Sequence, residues 1–277
     1  MPELPEVETL RRDLDKEVVG RRMKSVEVSG MRAIRRHPNK KHFIGKVEGR
    51  KVEGVARRGK YLLLSLGDEV LVIHLGMSGQ LLKAGVKDPM AAHTHVVFTF
   101  TQGGQLRFVD PRTFGEMFVV AAEALEVDVP EVSELGFDPL EDVMSWDAFG
   151  ARLRARKVKL KTLLMDQRFV AGIGNIYSDE ILWAAGLRHD RSSESLSTQE
   201  VRRLYRSLLE TLHDGVKLRG SSLSDQQYRD LYGVIGGYQA EHKVYAREGE
   251  ACRRCRQPIV RVKWGQRSTF FCAGCQV

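Results

Sequence analysis

The sequence predicts an α+β protein in three parts: a mostly-β first body led by one helix, a helical second body, and a four-cysteine hairpin at the end. Three observations carry that expectation. Alternation of apolar and polar residues, the period of a half-buried strand, dominates the first 120 residues. Apolar residues at helical spacing replace it after residue 146, and all four cysteines fall in the last 26 residues of 277. A hydrophobic content of 42% is enough for a sizeable core. No apolar run approaches the ~18 residues of a membrane span. The acidic, proline-bearing start is unlike a signal peptide, so a soluble, cytoplasmic protein is expected.

The charge is unevenly placed. Residues 1–120 carry net +7, residues 121–150 net −9 with no Lys or Arg, residues 151–240 net +5 and residues 241–277 net +5. Two basic bodies joined by an acidic connector over 121–145 suggest a polyanionic partner, nucleic acid first. The connector should lie away from that polyanion. A merely solvated basic surface is the blander alternative.

The elements follow in chain order. Pro5 suits the first turn of a helix, where no N–H is needed. Glu6 and Glu8 suit its positive end. Val7, Leu10, Leu14 and Val18 form one apolar stripe, and Gly20 ends the helix. Alternation predicts strands over Met23–Val28, Val47–Ala56 and Tyr61–Leu66, with Arg57-Arg58-Gly59-Lys60 as a basic turn. Glu69–Leu75 reads as a buried strand, followed by the loop Gly76-Met77-Ser78-Gly79. His95–Thr101 and Gln105–Val109 flank Gln102-Gly103-Gly104, a hairpin signal. Asp110-Pro111-Arg112-Thr113-Phe114-Gly115 is a second loop, and Glu116–Val120 a last strand. The first body, residues 1–120, is therefore expected to be a two-layer sandwich.

In the second body, residues 146–240, Trp146–Arg154 and Lys159–Asp166 read as short helices. Gly172-Ile173-Gly174-Asn175 is a tight turn before a helix over Ile176–Ala185 that stops at Gly186. Ser197-Thr198-Gln199-Glu200 is a capping box. It opens an amphipathic helix through Val201, Leu204, Leu208, Leu212 and Val216. Residues 217–240 read as a loop long enough to suggest a function.

Several stretches carry chemistry. Cys252-x2-Cys255 and Cys272-x2-Cys275, sixteen residues apart, match a structural zinc site within a finger over 241–277. Four thiolates leave no open position for a catalytic water. Val260–Lys263 and Thr269–Phe271 would pair between the knuckles, and Arg261, Lys263, Gln266 and Arg267 suit phosphate contacts. The glycine turn before Asn175 starts a helix, where backbone N–H groups bind phosphate. Met77, Arg112 and Phe114 sit at loop tips, where apolar residues beside an arginine can wedge into a base stack. His74, His93 and His95 lack metal spacing and read as sheet hydrogen-bonders or a phosphate contact. At the start of the chain, removal of Met1 would leave Pro2 with a free secondary amine of pKa near ~8. Unprotonated, it would be a nucleophile able to form a Schiff base, with Glu3 beside it to move protons. An ordinary helix start is the alternative.

Taken together, these pieces resemble the formamidopyrimidine-DNA glycosylase family. The match runs through Pro2-Glu3-Leu4-Pro5-Glu6, Lys60, His74-Leu75-Gly76-Met77, Asp110-Pro111-Arg112, Gly172-Ile173-Gly174-Asn175-Ile176-Tyr177 and the terminal cysteines, over essentially the whole chain. The resemblance implies an N-terminal β-sandwich, a helix–two-turn–helix body and a zinc finger, with DNA held in a basic cleft between the two bodies of a monomer. It implies attack of Pro2 on C1′ of an oxidised purine nucleotide, then β- and δ-elimination. Glu3 would be the proton donor in base release, Lys60 would act in β-elimination and Arg267 in δ-elimination. His93, Arg112, Arg156 and Asn175 would contact DNA, and Met77, Arg112 and Phe114 would fill the hole left by the flipped base. The loop Arg219–Gly237, with Ser221, Ser222 and Tyr228, would touch the lesion. Leu4 and the Arg112/Phe114 pair favour the purine branch. Thr113 stands where another basic residue is common in the family, which weakens the expectation of one phosphate contact. A pyrimidine-specific relative and a non-catalytic DNA-binding zinc protein are the alternatives.

Overall fold

Helix α1 spans Leu4–Val18 and starts as its residues require. Pro5 lies in its first turn, and Glu6 Oε2 accepts from Glu3 N at 2.8 Å, which fixes the approach of the chain. Its stripe, Val7, Leu10, Leu14 and Val18, is buried in the core of the sandwich. The computed structural model describes residues 1–277, which divide into two units: residues 1–134 with 218–237, and residues 135–217 with 238–277.

In the first unit, β1 (Met23–Val28), α2 (Lys40–Val47), β2 (Gly54–Arg58), β3 (Tyr61–Ser65), β4 (Glu69–His74), β5 (Gln80–Ala84), β6 (Thr94–Phe100), β7 (Gln105–Val109) and β8 (Glu116–Ala121) follow α1. They form two antiparallel sheets, in the orders β1-β6-β7-β5 and β2-β3-β4-β8. One core serves both. Val26, Phe98 and Phe108 from the first sheet pack with Leu62, Leu64, Leu71 and Ile73 from the second. Each such buried side chain contributes roughly 1.5–3 kcal/mol. The expected sandwich is present.

Three expectations in this unit need correction. The strand over Val47–Ala56 is not one element. Asn39 Oδ1 caps α2 by accepting from His42 N at 2.9 Å, the helix runs to Val47, and strand pairing begins only at Gly54. A polar cap outranked the short alternating pattern. Strand β5 went unread, because Gln80–Ala84 carries only two large apolar residues. The acidic connector is not a linker. It folds as α3 (Leu125–Asp128) and α4 (Pro130–Ser133), and Val129 and Val132 pack with Val70, Val72 and Phe118. Those β4 residues alternate with core-facing Leu71 and Ile73, so they lie on the other face of the sheet. Arg36 bridges Glu131 and Glu116 at 2.7 and 2.8 Å, so part of the negative charge is neutralised locally.

The second unit holds α5 (Trp146–Arg154), α6 (Leu160–Leu164), α7 (Asn175–Ala185), α8 (Thr198–Lys217), β9 (Ile259–Trp264) and β10 (Arg267–Cys272). The capping box closes, with Glu200 Oε2 accepting from Ser197 N and Ser197 Oγ from Glu200 N. Gly186 stops α7 at φ 66°, a left-handed position. Two buried acids on α7 hold neighbouring segments. Asp179 pairs with Lys161 at 2.6 Å and accepts from Phe270 N at 2.9 Å. Glu180 accepts from the backbone of Lys243, Val244 and Tyr245. Burial pushes both carboxyls up, Asp179 to about 7. Strands β9 and β10 pair in register from Ile259–Cys272 to Trp264–Arg267, longer than expected.

The long segment after α8 corrects the expected boundary. Residues 218–237 group with the first unit instead of the helical body. Tyr228 and Leu231 enter the sandwich core, and Leu231 O accepts from Lys83 N at 2.8 Å. A segment of mostly small and polar residues hid two core anchors. No helix is long and apolar enough to cross a membrane.

Candidate active site

Pro2 and Glu3 are buried immediately before α1. Glu6 joins them to the 218–237 segment: its Oε2 holds Glu3 N, and its Oε1 accepts from Ser221 N at 2.7 Å. Lys60 is also buried, at the turn between β2 and β3. The base of that hairpin is tied to α1 by a buried ion pair, Arg57 Nε to Glu8 Oε2 at 3.1 Å. Burial works to raise the Glu8 carboxyl, but hydrogen bonds from Arg11, Arg12 and Arg57 hold it below the usual range. Pro2, Glu3 and Lys60 thus stand on two elements tied together by the Arg57–Glu8 pair. Such locking is what a reacting group needs to stay in place.

His74, at the end of β4, packs against Tyr61 at a tilt, with ring centroids 4.7 Å apart, and accepts from Gly76 N at 3.3 Å. Burial, and then the charge of Lys60, lower it to about 4. It is therefore neutral at physiological pH. His95 donates to Asp110 O at 2.8 Å, a sheet hydrogen bond of the kind expected. His93 is exposed, with φ 62°, and its carbonyl accepts from Asp110 N.

The structure brings the loops at Met77 and at Arg112 and Phe114 together. A Cβ on Gly76 would lie 2.5 Å from Gly115 N, so the loops approach backbone to backbone. Asp110 is fully buried between them. Its carboxylate accepts from Ser78 Oγ at 2.6 Å, Gly115 N at 2.8 Å and Arg112 N at 3.2 Å. Thr113 is held at φ 56°, rare for a β-branched residue. From this buried scaffold Met77, Arg112 and Phe114 project as exposed side chains, Phe114 at 50%.

In the second unit the hairpin turn Gly265-Gln266 carries Arg267 at its edge, exposed, with Nη1 4.0 Å from Met165 Sδ. Asn175, the first residue of α7, donates to Ser268 O at 3.1 Å. Its Oδ1 is buried and has no hydrogen-bond partner. Gln167 braces the glycine turn by accepting from Gly172 N and donating to Ile173 O. Arg156 is exposed and lies 3.8 Å from Asp166.

The four cysteine sulfurs lie within 4.8 Å of one another, with Cys252–Cys275 at 3.8 Å and Cys255–Cys272 at 3.3 Å. A tetrahedral ZnS4 centre needs sulfurs about 3.8 Å apart. Trp183 Nε1 and Arg254 N donate to Cys252 Sγ at 3.4 Å, the partners a thiolate requires. The donor set fits zinc.

Family models match in order along the chain. The formamidopyrimidine-DNA glycosylase N-terminal domain matches residues 1–117, the H2TH domain of the same enzymes residues 135–227, and the zinc finger found in these enzymes and in IleRS residues 249–277. The formamidopyrimidine-DNA glycosylase of Pelotomaculum thermopropionicum is 41% identical over 277 residues, covering 100% of this chain and 99% of that one. A Lactococcus lactis enzyme solved with DNA containing an abasic site superposes with a TM-score of 0.91 at 34% identity, covering 99% of both chains. The wild-type enzyme of that organism solved with N7-benzyl-Fapy-dG DNA gives 0.90 at 34% identity, again covering 99% of both. The chain belongs to the formamidopyrimidine-DNA glycosylase family.

As a member of that family it is a DNA repair glycosylase whose partner is DNA. Cys252, Cys255, Cys272 and Cys275 hold one structural zinc. The zinc supplies shape to the β9–β10 hairpin, and all four of its positions are taken by the chain. Three groups that hold the Pro2-Glu3, Lys60 and Met77/Phe114 regions in place have no such role assigned from sequence. Glu6, beyond its charge at a helix start, and Asp110, beyond its loop, entered only as letters of matched motifs, and Arg57 only as part of a basic turn. A carboxylate at a turn or helix start gives a local signal. Its long-range partners, Ser221 for Glu6 and Ser78 for Asp110, give none.

Proposed function

We propose that this glycosylase removes oxidised purines, 8-oxoguanine and formamidopyrimidines, from duplex DNA and then cleaves the strand as an abasic-site lyase. The observation that carries the reading is the buried Pro2-Glu3 pair, held at the start of α1 by Glu6. The target nucleotide is extruded from the stack, and Met77, Arg112 and Phe114 recover part of the lost stacking. With Met1 removed, the Pro2 nitrogen lone pair attacks C1′ and the bond to the base breaks. The base leaves with a proton, the C1′–O4′ bond then opens as Glu3 gives a proton to O4′, and the Pro2 nitrogen lone pair closes the C1′=N⁺ iminium. Loss of a C2′ proton expels the 3′ phosphate, with Lys60 assisting. A second elimination, assisted by Arg267, expels the 5′ phosphate. His93, Arg112, Arg156 and Asn175 contact the DNA. Asn175 at a helix start and Arg267 on the zinc hairpin suit phosphate. Leu4 and the Arg112/Phe114 pair support purines over pyrimidines.

Borohydride trapping on an 8-oxoguanine·cytosine duplex tests this, with Pro2→Gly as control and intact mass confirming that Met1 is gone. A covalent protein–DNA band from the wild type, much reduced in the control, is the expected result. A band of equal strength in the control would remove Pro2 from the mechanism. A band only with a thymine-glycol duplex would move the enzyme to pyrimidine lesions.

A further inference from the structure

The segment that returns to the sandwich after α8 is fastened by an arginine in an unusual conformation. Arg219 has φ 61°, a region side chains rarely adopt. Its guanidinium reaches two buried carboxylates. It donates to Asp13 Oδ1 at 3.3 Å, and to Asp230 Oδ2 at 2.9 Å from Nε and 2.7 Å from Nη2. Both aspartates are 2% exposed.

Asp13 lies seven positions after Glu6 on α1, two helical turns along the same face. That face grips the segment twice, at Arg219 through Asp13 and at Ser221 N through Glu6. Between the grips there is no room for a side chain: a Cβ on Gly220 would lie 2.7 Å from the Glu6 side chain. The far half is knotted back onto the same point. Asp230 Oδ1 accepts from Tyr232 N and Val234 N, Tyr228 Oη donates to Arg219 O, and Ser222 Oγ joins Tyr228 O to Gly236 N. One guanidinium thus joins both ends of the segment to the helix that carries Pro2, beside the separate holds at Ser221 and Leu231.

We propose that the Arg219 clamp on Asp13 and Asp230 is a positioning device for base release, dispensable for cleaving a site that has already lost its base. The inference rests on the proposed function. Removing the clamp lets Ser221, Ser222 and the rest of 218–237 shift against α1. Glu3 keeps its hold on Glu6 within α1, so Pro2 stays where it is. A substrate with a damaged base needs both the segment and the amine, whereas an abasic substrate needs the amine alone.

The test compares Arg219→Ala, Arg219→Lys and Asp230→Asn with the wild type in single-turnover assays on two duplexes, one with 8-oxoguanine and one with an abasic site. Arg219→Ala should slow base release roughly 10- to 100-fold, the scale of an ångström-sized misplacement. Abasic cleavage should stay within about twofold of wild type on the same argument. Arg219→Lys should fall between, because one ammonium cannot fork across two carboxylates. Asp230→Asn should follow Arg219→Ala, and with Arg219→Lys it carries the comparison if the alanine variant does not fold. Equal losses on both duplexes, or base release at the wild-type rate, would overturn the clamp. A wild type inert on both duplexes would instead overturn the reading beneath it.

Discussion

The β-sandwich and the zinc hairpin are ordered by different means, and the difference says what each tolerates. The sandwich has a continuous apolar core drawn from both sheets and α1. Its chemistry sits on that core through buried charges, Glu6 to Ser221, Glu8 to Arg57 and Asp110 to Ser78. The hairpin has two strands and a small cluster around Trp183, Val244, Ile259 and Phe270 that includes two of its own cysteines. A hairpin of that size is marginal in water, and beyond its ties to Asp179 and Asn175 on α7 its order rests on the metal. Burial fixes the first region and coordination the second.

Zinc removal should therefore separate the two most sharply. With a chelator, or in Cys272→Ser, the hairpin should lose its fold while the sandwich melts cooperatively as before. DNA binding should weaken, and the slope of log affinity against log salt should shrink by roughly two to three, about one for each lost phosphate contact among Arg261, Lys263 and Arg267. Fluorescence anisotropy on a lesion duplex across a salt series measures it. An unchanged slope would mean that the hairpin touches no phosphate.

Within the sandwich, the buried polar scaffold is the part to attack. Asp110→Ala strands Ser78 Oγ and Gly115 N and leaves Arg112 N only its 3.3 Å bond to Ser78 Oγ. The expected cost is about 3 kcal/mol by urea denaturation, the upper range for orphaned buried groups. Because the loops of Met77 and Phe114 are held from this one carboxylate, lesion binding should fall too. A loss under about 1 kcal/mol would show that the backbone packing at Gly76 and Gly115 suffices without the carboxylate.

How much of this was legible depended on whether the cause was local. The α1 stripe, the capping box at Ser197, the hairpin at Gln102-Gly103-Gly104 and the cysteine knuckles each declare themselves within a short window. Pro2, Glu3 and Asn175 could be marked because their neighbours fix their position at an element start. What could not be read depends on distant partners. The acidic run at 121–134 looks like a linker until Val129 and Val132 pack on the sheet and Arg36, 95 positions before Glu131, pairs with that one acid. Residues 218–237 look like a loop of the helical body until Tyr228 and Leu231 enter the sandwich core. Nothing in the spacing of Asp13, Arg219 and Asp230 announces that they meet.

The smallest effect concerns His74, where acid tests the sandwich alone. Burial, helped by the positive charge of Lys60, lowers its folded-state value to about 4 from an ordinary 6.5. Between those values the unfolded chain binds the extra proton and the folded one does not. The stability His74 contributes is therefore complete above pH 6.5 and is lost as pH falls toward 4. From pH 7 to pH 5 that amounts to roughly 2 kcal/mol at most. Urea midpoints at the two pH values, for wild type and His74→Gln, isolate the term, since glutamine keeps an acceptor for Gly76 N but does not titrate. The variant should lose less stability on acidification than the wild type. Equal losses would mean that His74 takes up its proton as readily folded as unfolded, so that the buried pocket beside Lys60 admits charge as freely as water does.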